Sequence, residues 1–142
     1  MSVEQEYIRS NTYSKRIYER ACKVMVNGTT RNVSFYRPYP AYIKRGKGSH
    51  VWDVDGNERI DYCFNHSSLI LGHNHPKIIE AVKRQLEYGT VLGGSTEAEV
   101  ELAEKIVERV RSAEMVRFTP SGTEAVHQAL RLARSYKSKE KI

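Results

Sequence analysis

The apolar positions of this chain change their spacing three times. From about Ser14 to Val26, Ile17, Ala21, Val24 and Met25 recur at three- and four-residue steps, which predicts an amphipathic helix. Asn27-Gly28 ends it, because glycine readily takes the left-handed conformation just past a helix end. Residues 1–13 carry no such stripe and read as frayed. In TTRNVSFYRPYPA, residues 29–41, Pro38 and Pro40 fit neither a helix interior nor a central strand.

The spacing then becomes that of β structure. Tyr42 to Arg45 reads as a short strand, Gly46-Lys47-Gly48 as a turn, His50 to Val54 as a second strand and Arg59 to Phe64 as a third. Asp55-Gly56-Asn57 is a hairpin signal, since these residues tolerate positive φ. Trp52 and Val54 share one face, and Ile60 and Tyr62 share one on the returning strand. The expectation is a small antiparallel meander.

Beyond about Gly72 the pattern turns to α/β, which divides the chain into residues 1–71 and 72–142. Pro76 suits a first helical position, and Ile78, Ile79, Val82 and Leu86 make one stripe ending before Gly89. Thr90 to Ser95 reads as a flexible loop. Thr96 with Glu99 matches a capping box, followed by the stripe Val100, Ala103, Ile106, Val107 and Val110. Glu114 to Thr119, EMVRFT, reads as a strand, and Ser121-Gly122-Thr123-Glu124 opens a last helix on Val126, Ala129, Leu130 and Ala133. A strand between two amphipathic helices normally lies in a parallel sheet covered on both faces. No second parallel strand is offered beside it, and Lys139-Glu140-Lys141-Ile142 reads as a helix exit entering another strand. The chain is therefore expected to stop inside a domain, and to aggregate alone through bare strand edges and apolar helix faces.

Composition narrows the function classes. The chain has 142 residues, a formal net charge of +6 and 39% hydrophobic residues, which suits one soluble domain at most. No run reaches the roughly 18 apolar residues of a membrane span, and MSVEQEYIRS has no apolar stretch of the kind a secretory leader needs. Two cysteines, Cys22 and Cys63, without a CxxC, make a disulfide scaffold or zinc site unexpected and suit a reducing cytoplasm. Residues 1–50 carry ten Lys/Arg against three Asp/Glu, while residues 51–142 carry thirteen against fourteen. The basic third could bind nucleic acid, but its charges are interleaved with apolar helical positions, so a solvated face is the expected reading.

The strand-to-helix turn Pro120-Ser121-Gly122-Thr123 carries the most chemistry. A helix N-terminus presents unpaired N–H groups and partial positive charge, a ready anion site. Gly122 would let a phosphate approach the backbone, and the hydroxyls of Ser121 and Thr123 could add bonds. The same residues also suit a plain cap, with Ser121 and Glu124 as a capping box. Glycine costs about 1 kcal/mol against alanine in a helix, which favours the phosphate reading. His73 and His75 in LGHNHP could begin a metal site, but no third ligand follows at a suitable spacing, so a turn and helix entry is expected instead. His50, His66 and His127 are scattered.

The succession YIKRGKGSHVWDVDGNERIDY, SSLILGHNHPKIIEAV, TEAEVELAEKIVERV and EMVRFTPSGTEAVHQALRLARSYKSKEKI resembles the N-terminal third of class III pyridoxal-phosphate aminotransferases, over about residues 14 to 142. It looks closest to the branch containing glutamate-1-semialdehyde 2,1-aminomutase and its aminotransferase relatives. The resemblance implies an α/β fold of type I. Residues 1–71 would supply the helix and meander of the small domain, and residues 72–142 the start of the large parallel-sheet domain. It implies pyridoxal 5'-phosphate as cofactor, with the phosphate on Ser121, Gly122 and Thr123, and places Asn65, His66 and Ser67 at the substrate entrance. It also implies a homodimer acting on a small-molecule amino donor and acceptor. Two features depart from the pattern. Pro120 stands where the family often has Asn, and Asn65-His66-Ser67-Ser68 replaces a Ser-Trp-Gly run of the aminomutases, which favours a related aminotransferase. The Schiff-base lysine and the aspartate at the pyridine nitrogen would belong to the later part of a family chain. Lys137, Lys139 and Lys141 lie too far from Ser121 to substitute, so this polypeptide alone is expected to be inactive. The rival expectation is a non-catalytic binding or assembly module using the basic first third.

Overall fold

Ser2 begins a helix where the sequence reading expected a frayed arm. Its Oγ accepts from the Gln5 N–H (3.2 Å), and Gln5 Oε1 accepts from the Ser2 N–H (2.9 Å), a reciprocal cap that starts α1 (Val3–Ser10). The computed structural model describes every residue except Glu140 and Ile142. After α1, α2 runs Thr12–Ala21, so the predicted Ser14–Val26 helix starts and ends earlier than expected. It stops early because the chain folds back on itself. Gly28, at φ 64°, sits so close to Tyr18 that a Cβ there would lie 2.7 Å from the ring. Val24, expected on the apolar stripe, is exposed beyond the helix end.

The meander is present as β1 (Ile43–Lys47), β2 (His50–Asp53) and β3 (Glu58–Ile60), antiparallel in the order β1-β2-β3. Gly46 and Lys47 belong to β1, so the first turn falls later than expected, at Gly48-Ser49. The second turn is the expected Asp55-Gly56-Asn57, with Gly56 at φ 90°. Strand β3 ends at Ile60, short of the predicted Phe64, because Asp61 turns the chain by accepting from the N–H groups of Cys63 and Phe64.

In β2 the buried face carries Val51 and Asp53. The Asp53 side chain is 0% exposed. It is held by the N–H groups of Asp55 and Asn57, the Asn57 amide, and Arg59 through Nε (3.2 Å) and Nη2 (2.9 Å). The same hairpin binds the helices. Asp55 accepts from Tyr13 N (2.6 Å), Ser14 N (2.9 Å) and Ser14 Oγ (2.6 Å), so it caps α2 from across the fold. Arg59 Nη2 donates to Asn11 Oδ1 and Asn57 Nδ2 to the Ser10 carbonyl, at the joint between α1 and α2. The buried apolar side chains beside this network are Ala21, Tyr39 and Val51.

One short helical turn, α3 (Phe64–Ser67), precedes α4 (Pro76–Leu86), which starts on Pro76 as expected. The chain packs as two units, residues 1–89 and 90–142. This division falls later than the change of pattern near Gly72. Gly48 and His73 exchange two backbone hydrogen bonds of 2.8 Å, which keeps the segment leading into α4 with the meander.

The second unit holds α5 (Glu97–Arg109) and α6 (Gly122–Lys137). Thr96 does not close the expected capping box, because its hydroxyl donates to Glu99 Oε1 (3.1 Å) and accepts no backbone N–H. Glu114 to Thr119 forms no strand. A strand exists only by exchanging bonds with a neighbour, and among the described residues none lies beside it. The large residues of the last stripe are exposed, with Val126 61% and Leu130 41% accessible. Helix α6 exits at Ser138 (φ 49°), and the strand expected to open at Ile142 lies outside the described residues. No helix among the described residues is long and apolar enough to cross a membrane.

Burial alone pushes the Asp53 carboxyl up, but the bonds from Asn57 and Arg59 outweigh it and hold the group below the ordinary aspartate value. A depressed value means the contribution is present above the unfolded pKa and fades as pH falls through the folded one. Asp53→Ala should therefore lower the unfolding free energy by about 3 kcal/mol at neutral pH. Its loss of stability on acidification should also be shallower than that of the wild type. Urea unfolding followed by Trp52 fluorescence at several pH values measures both.

Candidate functional site

Helix α6 begins with an extended residue, Ser121 (φ −151°, ψ 155°), that turns the chain into the helix. Ser121 Oγ accepts from the Glu124 N–H (3.2 Å), and the Ser121 carbonyl accepts from Ala125 N and from the Thr119 hydroxyl (3.0 Å). This is the serine half of the expected capping box. Two further donors of the first turn, the N–H groups of Gly122 and Thr123, find no acceptor among the described residues. A Cβ built on Gly122 would meet nothing within 4 Å, so packing within the unit does not explain the glycine.

The donor set suits a phosphate. Two N–H groups at the positive end of a 16-residue helix lie beside the hydroxyls of Ser121 and Thr123, and Ser121 keeps its own O–H free to donate. Proline at 120 contributes no N–H, so the set starts at Ser121. Behind the turn, Arg117, Thr119, Gln128 and Arg131 line part of an open groove of about 410 Å³.

Asn65, His66 and Ser67 lie in the other unit, on α3. Every residue of this turn has positive φ: Phe64 45°, Asn65 50°, His66 57° and Ser67 65°. It is one turn of left-handed backbone, which L-residues seldom adopt in succession. The Asn65 carbamoyl oxygen accepts from Arg31 Nη1 (3.1 Å), and its amide donates to Ser68 Oγ (3.0 Å). Asp61 accepts at the entry to the turn through Oδ1, while its Oδ2 meets His73 Nε2 at 2.8 Å. The His73 bond, followed by those from Phe64 and Cys63, holds the Asp61 carboxyl below its ordinary value despite partial burial. His73, considered above as a metal ligand, is thus a partner of Asp61. His75 is the residue before α4, and its Nδ1 is buried without a partner among the described residues.

Sequence reasoning missed Asp61, Arg31 and Asp53, and read Asp55 only as part of the hairpin turn. Only Asp61 left a signal, since an Asp followed by a break in strand alternation is a turn former that can cap the residues two and three ahead. A contact such as Arg31 to Asn65 leaves no trace in local spacing.

The family model for class-III aminotransferases matches residues 33–142. The chain belongs to the class-III aminotransferase family. Glutamate-1-semialdehyde 2,1-aminomutase of Methanothrix thermoacetophila is 46% identical over 129 residues, covering 91% of this chain and 30% of that protein. Among solved structures, an omega-transaminase from Sphaerobacter thermophilus is similar at 46% identity and a TM-score of 0.88, covering 91% of this chain and 30% of its own. A transaminase with PLP bound is similar at 44% identity and a TM-score of 0.89, covering 92% and 31%. The α/β fold of type I expected from the sequence is the fold of these transaminases, and the chain spans about 30% of the length of the relatives it matches.

The cap on α6 can be tested alone. Ser121→Ala should destabilise the helix by about 1 kcal/mol, while Ser121→Asp should keep the cap. Circular dichroism of the two variants should show reduced helicity in the first and none lost in the second.

Proposed function

We propose that this chain takes part in pyridoxal-phosphate-dependent amino-group transfer and that Ser121, Gly122 and Thr123 hold the cofactor's phosphate. The observation that carries this reading is the pair of unanswered N–H groups on Gly122 and Thr123, in a chain of this family. When bound, pyridoxal phosphate supplies the aldehyde that takes up the amino group and the ring that accepts the electrons released at carbon. The part of this chain is to grip. The helix N-terminus attracts the doubly charged ester, the two N–H groups and two hydroxyls fix its oxygens, and the missing Cβ at residue 122 lets them come close. Asn65, His66 and Ser67 sit at the substrate entrance, where their polar side chains orient a small amino acid or amino-aldehyde.

The amine that holds the aldehyde comes from outside these residues. Lys137 closes α6 at its far end, roughly 20 Å from Ser121 at 1.5 Å rise per residue. The 142-residue chain alone therefore binds the cofactor weakly and does not turn over. Activity requires the portion that family members carry beyond this region, in a homodimer.

Two reactions fit. Transfer between two small molecules is favoured by Asn65-His66-Ser67-Ser68 and by the transaminase neighbours. Intramolecular exchange on glutamate 1-semialdehyde is favoured by the relatives named for it. Joining residues 1–142 to the remaining two thirds of the Methanothrix aminomutase tests both. The joined protein should take up pyridoxal phosphate tightly, absorb in the visible and convert an amino donor to its carbonyl product, while the chain alone should bind it only weakly and not turn over. Ser121→Ala and Thr123→Ala should each weaken cofactor affinity about tenfold, as expected for one hydrogen bond to a charged group. Uptake unaffected by both substitutions would contradict the phosphate assignment.

A further inference from the structure

Four consecutive L-residues at φ 45°, 50°, 57° and 65° make α3 a costly conformation, on the order of 1–2 kcal/mol per residue. Such a segment persists only where its surroundings hold it. Its own bonds, Ser67 N to the Cys63 carbonyl, Leu69 N to the Phe64 carbonyl and Ser68 Oγ to the Asn65 carbonyl, close the turn on itself. They do not fix it against the meander.

Asp61 and His73 do. Asp61 follows β3 and uses one carboxylate oxygen for the N–H groups of Cys63 (2.9 Å) and Phe64 (3.1 Å), the entry to the turn. The other oxygen takes the His73 Nε2 proton at 2.8 Å, because a carboxylate can only accept. His73 is itself anchored to β1. Its N–H and carbonyl pair with Gly48, its ring stacks on Phe64 with centroids 6.2 Å apart, and it lies so close to Gly46 that a Cβ there would be 2.5 Å from the ring. Gly72, at φ 76°, brings the chain within reach, and a Cβ there would come to 2.8 Å from the Gly48 carbonyl oxygen. Gly46 makes the room that the His73 ring fills, and Gly72 lets the backbone come close to Gly48.

We infer that Asp61 and His73 are positioning residues that hold the left-handed turn Phe64–Ser67 in shape and thereby set the orientation of Asn65, His66 and Ser67. The consequence for substrate rests on the reading above that these three line the entrance. The positioning itself does not.

Nitrogen-15 and carbon-13 NMR of the full chain, reading the amide shifts and HN–Cβ couplings of residues 64–67, tests the positioning directly. His73→Phe keeps a ring against Phe64 but removes the donor. His73→Gln keeps a donor of similar reach. Gly46→Ala displaces the ring without deleting any bonding group. In the wild type, residues 64–67 should give couplings of left-handed backbone. His73→Phe and Gly46→Ala should abolish them while Val51 and Asp53 keep their shifts, and His73→Gln should restore them. Wild-type couplings that are averaged, a His73→Phe spectrum unchanged at residues 64–67, failure of His73→Gln to rescue, or loss of the whole meander would each overturn the inference. In the joined protein, His73→Phe should raise KM about tenfold with a smaller change in kcat, and His73→Gln should recover it. If the couplings change and KM does not, the positioning stands and the entrance reading falls.

Discussion

Backbone N–H groups at the start of a helix or turn need an acceptor, and at two such starts this chain answers them with carboxylates. Asp55 reaches across from the hairpin to the first turn of α2, and Asp61 answers the first two donors of the left-handed turn. At α6 the answer is incomplete, since Ser121 takes one donor and leaves those of Gly122 and Thr123. The starts of α1 and α6 use serine hydroxyls instead, and Thr96 before α5 accepts no backbone N–H. The start of α6 is the one to which the proposal assigns a bound phosphate.

The first unit depends on this arrangement because it has little else. Few large apolar side chains are buried in it, and the most deeply buried are Asn11, Ser14 and Asp53. A buried carboxylate is tolerable only when fully hydrogen-bonded and paired, and Asp53 meets that condition through Asn57 and Arg59. The hairpin is thereby both the turn between β2 and β3 and the anchor for α1 and α2. In the second unit no such network exists among the described residues, and the apolar stripes of α5 and α6 face outward.

What could be read from the sequence follows this division. The Asp55-Gly56-Asn57 turn, Pro76 at the head of α4 and the stripes of α5 and α6 are set by neighbours in sequence, and they stand where expected. The cap Ser2-Gln5 is equally local, but it precedes a stretch without an apolar stripe to mark the helix. The end of β3 at Ile60 follows from the local turn at Asp61, and the bonds on Asp53 come from Asp55, Asn57 and Arg59, yet no periodicity carries them. Nor does it carry the long-range bonds of Asp55 to Tyr13 and Ser14 or of Arg59 to Asn11. The strand expected at Glu114–Thr119 failed for another reason, since apolar alternation expresses readiness to pair and pairing needs a second strand. Of the candidate site, the cap at Ser121 is legible because helix caps are local. The setting of Asn65, His66 and Ser67, an unusual backbone held by Asp61, is not.

Where the chain meets phosphate decides between a plain helix cap and a phosphate site at Ser121. Titrating the nitrogen-15-labelled chain first with inorganic phosphate and then with pyridoxal phosphate reads this without any requirement for turnover. The amides of Gly122 and Thr123 should shift downfield in both titrations, with the larger change and the tighter midpoint for the cofactor. Amides at that turn that stay fixed while others move, or that stay fixed throughout, would contradict it.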